Sequence, residues 1–155
     1  MAAILFLHGL EARPGGVKPT FLASLGHEVL NPALPDDDFE ASVRVAEAEY
    51  GRAQPDVVVG SSRGGAVAMA MDCGASPVGL IAPAWRYCKV AGHVKGATTI
   101  LHAADDAVIP LADSKELAAA SGLAKERLVV VGENHSMNDP AAQAALAAAI
   151  EAAVA

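Results

Sequence analysis

The residues able to do chemistry in this chain are concentrated in four short stretches: LHGLEARPGG (7–16), GSSRGG (60–65), HAADDAVIP (102–110) and GENH (132–135). In the second, Gly60-Ser61-Ser62-Arg63-Gly64 has the form G-x-S-x-G, with glycines on either side of Ser62 that let the backbone crowd through a sharp turn and lift the hydroxyl clear. A serine hydroxyl is a weak nucleophile by itself. It needs a base within hydrogen-bond reach, and the base needs an acid that fixes its tautomer and stabilises the imidazolium. The alternative reading of the same pattern is a glycine-rich turn for phosphate or for close helix packing.

Five histidines are available as base: His8, His27, His93, His102 and His135. His27 opens an apolar run, His102 lies inside one, and His93 falls in an irregular stretch. His8 and His135 remain, each just after an apolar run. His135 follows Gly132 in a short loop before the last helical stretch, from which a side chain can swing towards Ser62; a capping or surface role is its alternative. His8 reads as a hydrogen-bonding histidine that supports its own loop. For the acid, Asp106 is favoured because Asp106-x-x-Ile109-Pro110 places a proline at the exit of the run, with Asp105 as the alternative.

Six apolar runs must position these groups: residues 2–7, 27–32, 56–60, 77–83, 98–103 and 127–132. Each is short and closed by Gly, Pro or a polar residue, and near-continuous apolarity marks strands covered on both faces, as in parallel sheets. Between them, helices are expected at 17–25, 39–53, 63–73, 112–121 and 140–154. Asp38 can cap the second, and Asp139-Pro140 supplies a cap and a first-turn proline for the last. Strand and helix alternate, so the expected architecture is a doubly wound, three-layer α/β/α sandwich with a mainly parallel sheet. In such a sheet ligands sit beyond the carboxyl ends of the strands, where the loaded residues cluster. The interval 84–97 has no clear helix and is the segment most able to overhang a site.

Composition narrows the function classes. With 155 residues, 53% hydrophobic and 19% charged, the chain reads as one folding domain spanning 1–155. A net charge of -7 with 11 Lys and Arg argues against a nucleic-acid footprint. The two cysteines, Cys73 and Cys88, form neither a disulfide framework nor a metal-ligand spacing, so no metal and no cofactor are expected. The opening MAAILFLHGL has no basic segment and too short an apolar run for a signal or anchor, which points to the cytoplasm and away from membranes.

Taken together, FLHGLEARPGG, GSSRGG, HAADDAVIP and GENH resemble the α/β-hydrolase superfamily, most closely its small capless bacterial esterases of the YqiA-like and retinoblastoma-binding-protein-like type. The resemblance spans nearly the whole chain and includes the order Ser, Asp, His. It implies Ser62 as nucleophile, Asp106 as acid and His135 as base, with the main-chain N–H groups of Leu10 and Arg63 as oxyanion hole. It further implies six strands in the order 2-1-3-4-5-6, a minimal version of the fold without a cap domain. Relatives usually carry Gly at the position of Ala103, and often Ser-Ser-Pro where this chain has Ala12-Arg13-Pro14.

The expected activity is that of a serine esterase or thioesterase acting on a small-molecule ester, with no nucleic-acid or membrane partner. A non-catalytic binding module on the same fold and an acyltransferase are the alternatives. Trp85 and Tyr87 could wall the acyl or alcohol site, or pack in the core. Arg13 and Arg63 could hold an anionic substrate, or lie on the surface with only their stems packed.

Overall fold

The computed structural model of the chain describes residues 1–10 and 12–155. Six strands form one sheet: β1 (Ala3–Leu7), β2 (Glu28–Leu30), β3 (Val57–Ser61), β4 (Val78–Ile81), β5 (Thr98–His102) and β6 (Leu128–Val130). Their order is β2-β1-β3-β4-β5-β6 and all five pairings are parallel, so the sheet is wholly parallel where a mainly parallel one was expected. The edge strands β2 and β6 span three residues each, shorter than their apolar runs, because an edge has one neighbour to hydrogen-bond.

Side-chain alternation along the strands divides the core between two faces. Ile4, Phe6, Val57, Val59, Ile81 and Leu101 point to the layer of α1 (Val17–Ser24) and α5 (Pro140–Val154), where Leu22, Leu146 and Ile150 meet them. Leu5, Leu7, Val58, Leu80 and Ile100 point the other way, to α2 (Phe39–Ala53), α3 (Arg63–Ala70) and α4 (Leu111–Ala120). Both faces are covered, which is why the strands read as continuous apolar runs rather than as alternating ones.

The helix starts carry the expected caps. Asp38 accepts the Ala41 N–H at 3.0 Å, and Asp139 accepts the Ala142 N–H at 3.2 Å ahead of Pro140. The α3 helix ends at Ala70, short of the expected residue 73, because extended backbone at Met71 turns Met71 and Cys73 back into the core.

Residues 82–97 join β4 to β5 without a helix, yet they fill a helix position. Trp85 is buried in the α2/α3/α4 layer and donates its indole N–H to the Asp113 carbonyl, and Val94 is buried nearby with its N–H bonded to Ser121 Oγ. Among the described residues no helix is long and apolar enough to cross a membrane.

Candidate active site

β1 ends at Leu7, just before His8, β3 ends at Ser61 and β5 at His102, so the chemically loaded segments all leave the same edge of the sheet. Ser62 sits between β3 and α3 with φ 56° and ψ −116°, a sparsely populated conformation for a residue with a side chain. Four main-chain bonds hold it there: its N–H donates to Ile81 O at 2.8 Å, and its carbonyl accepts from Gly65 at 3.0 Å, Ala66 at 3.2 Å and Ala84 at 3.0 Å. The flanking glycines are needed by contact. A Cβ on Gly64 would collide with the carbonyl of Leu7, and one on Gly60 with the backbone of Gly64 and Gly65.

Ser62 Oγ lies 3.0 Å from His135 Nε2, and His135 Nδ1 lies 2.7 Å from Asp106 Oδ2. The carboxylate can only accept, so Nδ1 carries the proton and Nε2 is the lone pair facing the serine hydroxyl. These residues are 73 and 29 positions apart in the chain, and the strand ends bring them together. The loop holding His135 is itself tethered. Glu133 N–H donates to Asp139 Oδ1 at 3.0 Å, and Ser136 N–H to Asn134 Oδ1 at 3.0 Å. Met137, 2% exposed, anchors the loop in the core beneath Gly132, whose φ of 100° favours glycine.

Of the two neighbouring aspartates, Asp106 is the one that meets His135, and Asp105 is exposed. The Asp106 side chain has no solvent exposure, and its Oδ1 accepts the N–H groups of Val108 and Ile109, both at 2.8 Å. Burial pushes its pKa up, but hydrogen bonds from His135, Ile109 and Val108 outweigh burial and hold it below the ordinary carboxylate value.

A further residue, passed over in the sequence because it lies within a strand, completes this arrangement. His102 is wholly buried, with Nε2 2.9 Å from Ile109 O and 3.1 Å from Asp106 Oδ2, and Nδ1 2.6 Å from Ser114 Oγ. Both neighbours of Nε2 are acceptors, so that nitrogen bears the proton and Ser114 donates its hydroxyl to Nδ1. His102 therefore braces Asp106 on the side away from His135. The available signal was a histidine at the end of an apolar strand, four residues before the aspartate.

A cleft of about 940 Å³ opens over Ser62 and His135. Leu10 and Arg63 border it. Arg63 is the first residue of α3, where an N–H has no preceding carbonyl of its own helix. His8 is buried beneath: its Nδ1 donates to Gly9 O at 2.9 Å and its Nε2 accepts the Leu34 N–H at 2.9 Å, so it supports the loops.

Two expectations about substrate contacts change, those for Trp85 and Arg63. Trp85 is absent from the cleft wall, because its ring fills the core against Gly92, and only Tyr87, 82% exposed, stands at the rim. The Arg63 guanidinium is neither on the surface nor in the cleft. It is buried, bonded to Ser42 Oγ at 3.0 Å and Pro35 O at 2.9 Å, and lies over the Phe39 ring. Arg13 does border the cleft, and it also borders a smaller one shared with Asp36. Cys88 lines the cleft and Cys73 is buried, where burial raises its thiol pKa to about 11. Among the described residues no cluster of His, Cys, Asp or Glu could hold a metal ion.

The fold is the α/β-hydrolase fold, and solved structures match it over almost the whole chain. A protein of Agrobacterium vitis S4 superposes with a TM-score of 0.79 at 16% identity, covering 99% of this chain and 88% of its own. A protein of Xanthomonas campestris pv. campestris, whose name places it in the alpha/beta hydrolase superfamily, gives 0.67 at 24% identity, covering 99% and 96%. The esterase domain of a Rhodothermus marinus protein gives 0.64 at 15% identity, covering 97% and 84%. Neither a protein-family model nor a curated protein sequence matches the chain.

Proposed function

We propose that the protein is a serine hydrolase that cleaves a small carboxylic ester or thioester through an acyl-enzyme. The observation that carries this reading is the continuous hydrogen-bonded chain Ser62–His135–Asp106 at the floor of an open cleft, with Ser62 held at positive φ. The likeness in fold to an esterase domain is consistent with it.

In the first half-reaction Ser62 Oγ bonds to the acyl carbon and its proton passes to His135 Nε2. Ionised Asp106 stabilises the imidazolium without taking the proton. The tetrahedral oxyanion is taken by the main-chain N–H groups of Leu10 and Arg63, donors oriented before the charge develops and worth about 3–4 kcal/mol each in barrier. As the bond from carbon to the leaving oxygen or sulfur breaks, His135 returns the proton to the leaving group. Water, deprotonated by the same nitrogen, then releases the acid and restores Ser62.

The test is labelling with a fluorophosphonate, followed by mass spectrometry and by turnover of a short activated ester. Wild type is expected to gain one phosphonyl group on Ser62 and to lose activity, and Ser62→Ala to take up none and to fall about 10⁶-fold in kcat. A Ser62→Ala protein that keeps a tenth of wild-type turnover would overturn the assignment.

A further inference from the structure

The two walls of the cleft differ in charge. On the side of the α2/α3/α4 layer it is bordered by Asp36, Asp37 and Phe39, and Arg13 and Asp36 also border a smaller cleft together. On the side of α1 and α5 it is bordered by Val17, Lys18 and Pro19 of α1 and by His135, Ser136 and Asn138 of the loop leading into α5. Lys18 reaches across from α1 to that loop, and its ammonium donates to Asn138 Oδ1 at 3.1 Å. Among the described residues it has no carboxylate partner, whereas Arg52 and Arg86 both do.

A neutral amide oxygen orients an ammonium but leaves its charge uncompensated. Lys18 is half-buried at the cleft wall, and this partial burial lowers its pKa. One of its N–H donors is used by Asn138, and the others are able to donate to an anion brought in by a ligand, through charge-assisted hydrogen bonds.

We infer that Lys18, oriented by Asn138, is a binding site for an anionic group on the alcohol portion of the substrate, so that the preferred substrate is an ester whose leaving group carries a carboxylate or similar oxyanion. The inference rests on the hydrolase reading and specifies its substrate. The side follows from the chemistry: His135 must reach the leaving oxygen to return its proton, so the leaving group lies towards the His135 loop, and Asn138 is three residues further along that loop. Arg63 cannot take this part because its guanidinium is bonded to Ser42 and Pro35, and Arg13 stands on the acidic side.

The experiment compares wild type with Lys18→Met and Lys18→Arg on two pairs of esters. In one pair the charge is on the alcohol, as 3-carboxyphenyl acetate against 3-carbamoylphenyl acetate. In the other it is on the acyl group, as phenyl 4-carboxybenzoate against phenyl 4-carbamoylbenzoate. The ratio of kcat/KM for charged over neutral ester is expected to fall about 10-fold in Lys18→Met for the first pair, to be largely kept in Lys18→Arg, and to change less than twofold for the second pair. Calorimetry with 3-hydroxybenzoate, read without turnover, should show binding to wild type weakened by a similar factor in Lys18→Met.

An active enzyme with the same ratio and the same affinity in both proteins refutes the Lys18 site and leaves the hydrolase reading standing. A change confined to the acyl-side pair refutes the placement on the leaving group. Protein inert on all four esters, yet binding 3-hydroxybenzoate through Lys18, keeps the anion site and refutes the hydrolase reading. Inert protein whose binding is absent or unaffected by Lys18→Met refutes both.

Discussion

Replacing His102 by Leu separates its part in folding from its part in positioning Asp106. Leucine fills most of the ring's volume but removes three polar contacts at once: to Ser114 Oγ, to Ile109 O and to Asp106 Oδ2. A buried polar group left without a partner costs about 1–3 kcal/mol. Ser114 can turn its hydroxyl to a carbonyl of its own helix, so the Ile109 carbonyl bears most of the loss. The expected destabilisation is about 2–4 kcal/mol, within what a domain of 5–15 kcal/mol tolerates at 25 °C.

The effect on rate follows from the bonds that survive. Asp106 keeps Val108, Ile109 and His135 as donors, so the carboxylate stays in place but loses its brace on one side. A displacement of about 1 Å costs about 100-fold in rate, and a partial one with three donors retained should cost about 10-fold in kcat with KM little changed. The assay is ester turnover well below the melting temperature, together with a thermal melt, for His102→Leu, His102→Gln and Ser114→Ala. Ser114→Ala removes only the hydroxyl on Nδ1 and should lose about 1 kcal/mol with kcat within twofold of wild type. His102→Gln, which retains a donor, should recover part of kcat. If His102→Leu loses the expected stability but turns over at the wild-type rate, the positioning role is refuted and the residue is structural only.

Three further outcomes can be checked. Asp106→Asn should lower kcat about 10⁴-fold by favouring the wrong His135 tautomer, while Asp105→Asn, at an exposed position, should be nearly silent; the reverse would move the acid one residue towards the N-terminus. Gly64→Ala forces a methyl group into the carbonyl of Leu7 and should destabilise by about 3 kcal/mol or more, so a protein melting within a few degrees of wild type would refute the tight elbow. Because the folded Asp106 carboxyl is held below its ordinary value of 3.8, its ionisation stabilises the fold above that pH, and the contribution is lost as pH falls from 3.8 through the lower folded value. The Asp106→Asn protein should therefore show a smaller stability loss across that acid window by denaturant titration, and an unchanged slope would refute it.

The elements were legible in the sequence because they rest on local signals, whereas the order of the strands in the sheet came from the family resemblance. Runs such as DVVVG and TTILHA are apolar on both faces, so they mark strands of a covered parallel sheet without any knowledge of their neighbours. Helices α2 and α5 begin where Asp38 and Asp139 provide caps, and their bounds agree with expectation for that reason. The G-x-S-x-G turn carries its own explanation, since steric room at Gly60 and Gly64 is a requirement a residue type can report. Ser62, Asp106 and His135 could be singled out because all three follow strand ends, and a doubly wound sheet gathers those ends along one edge.

What depended on tertiary structure is which way each polar side chain turns once the layers pack. His102 looks like a strand residue by position, and only the approach of Ile109, Asp106 and Ser114 makes it a brace for the carboxylate. Arg63 follows the elbow directly, yet its guanidinium is drawn under Phe39 towards Ser42 and Pro35, acceptors supplied by a segment more than twenty residues earlier in the chain. Trp85 is taken by the core because the β4–β5 connection has no helix of its own to fill that space. Lys18 resembles any solvated lysine in a first helical turn until the loop after His135 brings Asn138 Oδ1 to its ammonium. Burial and partner choice are non-local quantities: they depend on where distant segments of the chain come to rest, and local residue patterns carry no record of that.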